Sequence, residues 1–120
     1  MFIQSATCTY FFYLVHTDMR KGFDSLSGIV TEQMQFNPLS NDVYVFVNRR
    51  RTQMKLLHWD GDGFGLYYKR LEKGTYELPV TEDSSCYIRI SLQQLQMIFQ
   101  GISMKRNYRH KRYQHPSNNC

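Results

Sequence analysis

The side chains of this chain best suited to chemistry are its arginines and lysines, and their chemistry is binding. Arg49, Arg50 and Arg51 are consecutive, Lys55 follows four residues on, and Lys69 and Arg70 come after one return of the chain. Lys105, Arg106, Arg109, Lys111 and Arg112 lie near the C-terminus, interleaved with Tyr108 and Tyr113. Guanidinium forks match phosphate oxygens, and tyrosine rings stack on unpaired bases. The pattern points to an anionic partner such as DNA, with an acidic protein face as the alternative. Hairpin ends are also charged simply to stay soluble, so position must decide between these readings.

Other chemistries find less support. Asp60-Gly61-Asp62-Gly63 begins like a calcium loop, but such a loop needs an oxygen ligand two residues further on and a glutamate at its twelfth position. Phe64 and Leu71 stand there. His16, His58, His110 and His115 with Cys8, Cys86 and Cys120 match no zinc-ligand spacing. No serine, cysteine or histidine sits in the local context of an activated nucleophile. The sequence therefore predicts no catalytic residue, metal or cofactor, and the nuclease reading ranks last.

Bulk properties agree with a binding protein. A chain of 120 residues with 42% hydrophobic residues is long enough for one self-supporting core. The net charge of +5 is uneven, slightly negative over residues 1–40 and strongly positive over 81–120. Such an imbalance favours anionic partners. Three widely spaced cysteines imply no disulfide framework and suit a reducing cytoplasm. The first residues lack the basic start of a secretory signal, and the apolar run Tyr10–Val15 is too short to span a bilayer, so the expectation is a soluble cytoplasmic protein.

The elements that must position the cations follow from periodicity. Tyr10–Val15 reads as a buried strand. Thr17 and Asp18 offer a helix cap, and Met19, Phe23, Leu26, Val30 and Met34 draw one stripe on a helix reaching about Gln33. Phe23, Leu26 and Val30 are expected to be buried, with Arg20, Lys21 and Asp24 solvated. Asn-Pro and Ser-Asn make 36–42 a loop. Val43–Val47 has no polar face, which predicts a central strand covered on both sides. Met54–Trp59 and Phe64–Lys69 flank the Asp-Gly turn, the strongest short-range hairpin signal. Tyr76–Val80 is a candidate short strand and Tyr87–Ile90 another. Ser91-Leu92-Gln93-Gln94 has the form of a capping box, opening a helix with Leu92, Leu95, Phe99 and Ile102 on its stripe.

Four segments also resemble a known family. They are Thr17–Leu26 (TDMRKGFDSL), Val45–Arg51 (VFVNRRR), Lys55–Gly63 (KLLHWDGDG) and Tyr67–Gly74 (YYKRLEKG). In that order they resemble TnpB, the second-open-reading-frame protein of the IS66-type insertion sequences, over roughly residues 10–102. Ser25 and Ser27 depart from a helix often richer in Gly and Ala, but the basic motif is intact. The resemblance implies a bacterial mobile-element protein encoded beside a separate transposase that carries the strand-transfer chemistry.

The resulting expectation is an α+β fold: an antiparallel β meander packed against an N-terminal helix, with a second, C-terminal helix. Residues 1–102 would form one domain and 103–120 a flexible basic tail. The function expected is a non-enzymatic accessory factor in DNA transposition, with DNA and the element's own transposase as partners. The alternative is a protein–protein adaptor that contacts the transposase without binding DNA.

Overall fold

Residues 8–81 and 83–100 are described by the computed structural model of the chain. The order of elements is β1 (Tyr10–Tyr13), α1 (Phe23–Glu32), β2 (Val43–Val47), β3 (Gln53–Trp59), β4 (Phe64–Arg70), β5 (Tyr87–Ile90) and α2 (Leu92–Phe99). The five strands form one sheet in the order β4-β3-β2-β1-β5. The architecture is α+β, as expected. β2, β3 and β4 make an antiparallel meander, whereas β1 pairs with β2 in parallel and with β5 antiparallel, so the sheet is mixed.

β2 explains itself. Its five residues Val-Tyr-Val-Phe-Val are all buried, because successive side chains point to opposite faces and both faces are covered. Val43, Val45 and Val47 join Met54, Leu56, Leu95 and Ile98 on the α2 side. Tyr44 and Phe46 join Leu57, Leu26 and Val30 on the α1 side. The Asp60–Gly63 turn closes the β3–β4 hairpin, with Gly61 at φ 100 and the Asp60 carboxylate accepting from the Asp62 and Gly63 amides at 3.1 and 3.2 Å. α2 opens with the expected box. Gln94 N donates to Ser91 Oγ at 3.1 Å, and Ser91 N donates to Gln94 Oε1 at 2.8 Å. Leu95 and Ile98 are its fully buried residues, with Leu92 and Phe99 at the margin. Ile102 lies outside the described residues, as does the expected tail 103–120.

Three expectations need correction. The first helix starts at Phe23 with Gly22 as its cap, five residues later than Asp18. Asp18 instead organises a tight loop: its carboxylate accepts from Arg20 N at 2.9 Å, and its carbonyl from Lys21 N at 3.1 Å. This local side-chain bonding competes with helix, and Gly22 is extended (φ −108, ψ −154). Phe23, expected to be buried, is 46% exposed. The first turn of α1 overhangs the edge strand β4, and Phe23 stacks on Phe64 with ring centroids 6.5 Å apart. Leu26, Val30 and Met34 are buried as the stripe requires.

Tyr76–Val80 is not a strand. The chain must travel from one sheet edge, β4, to the other, β5, so the connection between these strands crosses the sheet. Tyr76 and Leu78 pack into the α2-side core on the way. Pro79, which has no N–H to donate, suits a crossing better than a ladder.

Candidate nucleic-acid interface

The turn between β2 and β3 carries the arginines, and Asn48 builds it. Its side-chain oxygen accepts from Thr52 N at 2.9 Å and Gln53 N at 3.0 Å, while Nδ2 donates to Thr52 Oγ1 at 3.2 Å. Its carbonyl accepts from Arg51 N at 3.0 Å. Arg49 and Arg50 occupy the middle of the turn and are exposed. Neither forms an ion pair with another described residue. Arg51 is half-buried with φ 61, a left-handed conformation that costs a non-glycine residue about 1 kcal/mol or more. The turn is also tied from outside: Tyr76 N donates to the Arg51 carbonyl and Leu71 N to the Thr52 carbonyl, both at 2.7 Å. The arginines therefore stand on a backbone anchored on several sides.

The hairpin register brings two more cations to this end. Lys69 lies opposite Met54 and Arg70 opposite Gln53, on the rungs next to the turn. They point to opposite faces. Lys69 lies over the Phe99 ring of α2 at 5.3 Å from its centroid. Arg70 is on the α1 face and pairs with Glu72 at 3.0 Å. That pair is exposed, so it is weak and a phosphate can compete for the guanidinium.

Lys55 does not belong to the exposed set. It is only 7% exposed, and its ammonium donates to the carbonyls of Met19 at 2.7 Å and Lys21 at 2.8 Å. The Tyr68 ring lies 4.9 Å from the same nitrogen. The lysine alternates onto the α1 face with Leu57, and that face is covered. Lys105, Arg106, Arg109, Lys111 and Arg112 lie outside the described residues.

Sequence reasoning passed over Arg20 and Lys21 as ordinary solvated charges. The structure starts their loop at this same end of the sheet, where Thr17 N donates to the carbonyl of Val47 at 2.9 Å, one residue before the arginine turn begins, and leads it along the α1 face toward Phe23 on Phe64. Only the parallel pairing of β1 with β2 accomplishes this, and no local pattern announces such a pairing. The opposite end of the β3–β4 hairpin carries Asp60 and Asp62, so the meander is cationic at one end and anionic at the other.

The IS66 Orf2 like protein family model matches residues 8–109. The chain belongs to this family. Membership makes it a TnpB-type accessory protein of insertion-sequence transposition. Two relatives come from Sinorhizobium fredii (strain NBRC 101917 / NGR234). "Uncharacterized protein y4hO" is 39% identical over 90 residues, spanning 75% of this chain and 76% of that protein. "Uncharacterized protein y4jC" is 27% identical over 89 residues, spanning 74% of each. No solved structure matches. The matched region of this TnpB-type chain contains the whole described sheet, the arginine turn and the Asp18 loop. No described helix is long and apolar enough to cross a membrane.

Proposed function

We propose that this protein is a non-enzymatic accessory factor of transposition that binds duplex DNA, or the transposase–DNA complex, through the cationic end of its meander. It would work in the cytoplasm beside a separate transposase that performs strand transfer. The observation that carries the reading is the Asn48-organised turn. It presents Arg49 and Arg50 to solvent on an anchored backbone, with Lys69 and Arg70 on the adjoining rungs. Like charges held together repel one another, a cost that an anionic partner offsets. A rigid mount also lowers the entropy lost when each arginine engages a phosphate.

The test is fluorescence anisotropy on a labelled duplex over a salt series. Each phosphate contact contributes a slope of about −0.9 to log affinity against log salt. Arg49→Ala/Arg50→Ala should flatten the slope by roughly 1.8 and weaken binding to all sequences alike. An unchanged slope and affinity would exclude this end as the DNA surface. If the same variant then lost binding to the purified transposase, the adaptor function would stand in its place.

A further inference from the structure

Lys55 is a buried lysine whose charge no part of the DNA reading uses, and its partners are informative. An apolar side chain at this position would pack against Phe46 and the α1-side core without desolvating an ammonium, which is expensive unless hydrogen-bonded. Lys55 meets that condition by bonding two carbonyls of one loop, Met19 O and Lys21 O, 36 and 34 residues away in sequence. The Thr17–Val47 backbone bond fixes the same loop from the other side, and the Asp18 turn fixes it internally. Residues 18–22 are thus held at three points, in a loop that starts at the arginine-turn end with the Thr17–Val47 bond and runs along the α1 face toward Phe23, which stacks on Phe64.

The charges on this loop are unequal. Arg20 is paired with the Asp18 carboxylate, its Nη2 lying 2.6 Å from Oδ2. Lys21 is exposed and forms no ion pair with another described residue. Next to it on the α1 face stands Tyr68, 53% exposed, with its ring beside the Lys55 ammonium and its hydroxyl donating to Gln53. Arg70 follows two residues along the same face.

We infer that the DNA surface has a second segment, the loop Asp18–Gly22, which supplies Lys21 to a backbone phosphate, and that Lys55 is the positioning residue that holds it there. The inference rests on the nucleic-acid reading above and adds to it a surface built from two chain segments, with Lys21 and Arg49 lying 28 residues apart, joined by the parallel β1–β2 pair. The ligand class is the phosphodiester backbone of duplex DNA. Lys21 approaches it from the α1 face while Arg49 and Arg50 approach from the end of the sheet. Lys55 itself touches no DNA.

Six proteins are compared on one labelled duplex across a salt series: the wild type, Lys21→Ala, Lys55→Met, the combination of those two substitutions, Lys55→Arg and Arg49→Ala/Arg50→Ala. Lys21→Ala should weaken binding on the order of eightfold at 0.1 M salt and flatten the slope by about 0.9, the loss of one contact. Lys55→Met should do nearly the same although its side chain is buried, and the combined variant should fall little further, because both act on one contact. Lys55→Arg, which keeps the charge and donors, should recover part of the slope. A merely structural lysine would change the thermal midpoint and leave the slope alone. Should Lys55→Met fail to fold, Lys21→Ala decides the contact, since its side chain is exposed, and Lys55→Arg decides the positioning role: a slope identical to the wild type's, despite the changed reach of its donors, with a lowered thermal midpoint would make Lys55 merely structural. An unchanged slope for Lys21→Ala overturns the inference. If Arg49→Ala/Arg50→Ala still flattens the slope in that case, the DNA reading survives without it. If neither variant changes the slope, both fall.

Discussion

Replacing Tyr76 with Phe should stabilise this protein. Tyr76 is 1% exposed in the α2-side core, among Val43, Val45, Leu95 and Ile98, and its hydroxyl has no hydrogen-bond partner among the described residues. A buried, unsatisfied polar group costs about 1–3 kcal/mol, while the ring itself is well placed. Phe keeps the ring and removes the hydroxyl, leaving a gap of a single oxygen atom, so some of that gain is lost to poorer packing. A net gain of about 1 kcal/mol follows, or a rise of roughly 4–5 °C in thermal midpoint for a domain of this size. Urea unfolding followed by circular dichroism should show a higher midpoint with an unchanged m value, the mark of a stability change without altered compactness. The same burial, with Tyr67 adding to it, raises the Tyr76 phenol above its ordinary value of 10.0. Because the folded-state value is the higher one, the stability tied to the neutral phenol is complete below pH 10 and is lost as pH rises toward the folded value. Tyr13 and Tyr44 are raised too, chiefly by burial, so the alkaline loss should be smaller in Tyr76→Phe but not abolished. A variant destabilised by 1 kcal/mol or more would mean that the hydroxyl has a partner after all, and the reasoning would fail.

Leu26→Ala removes a fully buried side chain from the α1-side core and should cost about 2–5 kcal/mol, read from the same urea titration. Ser91→Ala breaks the capping box of α2 and should cost about 0.5–2 kcal/mol; a difference below a few tenths would show that the tertiary contacts of Leu95 and Ile98 hold the helix start unaided. At acid pH, Asp18 is lowered by hydrogen bonds from Arg20, Asp60 by the amides of Asp62 and Gly63, and Asp83 by the Ser85 amide. Lowered carboxylates contribute stability that is present above the ordinary value of 3.8 and lost as pH falls below it. The carboxylate contribution to the thermal midpoint should therefore hold down to about pH 4 and decline only beneath it.

Much of the fold was legible because its signals are local. The Asp60-Gly61 turn with alternating strands on either side specified β3 and β4 within a residue, and with them the nearness of Lys69 and Arg70 to the arginine turn. The box Ser91–Gln94 marked the start of α2, and the continuous apolar run of β2 marked a strand covered on both sides. What was not legible depends on contacts distant in sequence. A stripe beginning at Met19 looks helical, but the Asp18 loop and the extended Gly22 delay the helix to Phe23. The crossing between β4 and β5 is dictated by β5 joining the far edge beside β1, which no residue in that stretch encodes. Lys55 is the clearest case for the site. Between Met54 and Leu56 it reads as an outward cation on a half-exposed strand, yet its face is the one α1 covers, so its ammonium is committed to Met19 and Lys21.

The separation of charge along the meander bears on how such a protein would meet DNA. β3 spans seven residues, a rise of about 23 Å between the arginine turn and the Asp60–Asp62 tip. The Debye length at physiological ionic strength is about 8 Å, so across that distance the acidic tip scarcely reduces the potential at the arginine turn. At about 0.01 M salt the Debye length grows to about 30 Å and exceeds the strand. The two ends are then felt together, as a dipole that turns the cationic end toward a polyanion during approach. Orientation of this kind raises the association rate more than the final affinity. If the proposed DNA binding holds, the aspartates of the tip would, at such low salt, disfavour encounters in which the wrong end of the sheet leads. The arrangement follows from the meander itself, since the two connections that flank β3 lie at its opposite ends. The sequence assigns arginine to one connection and aspartate to the other.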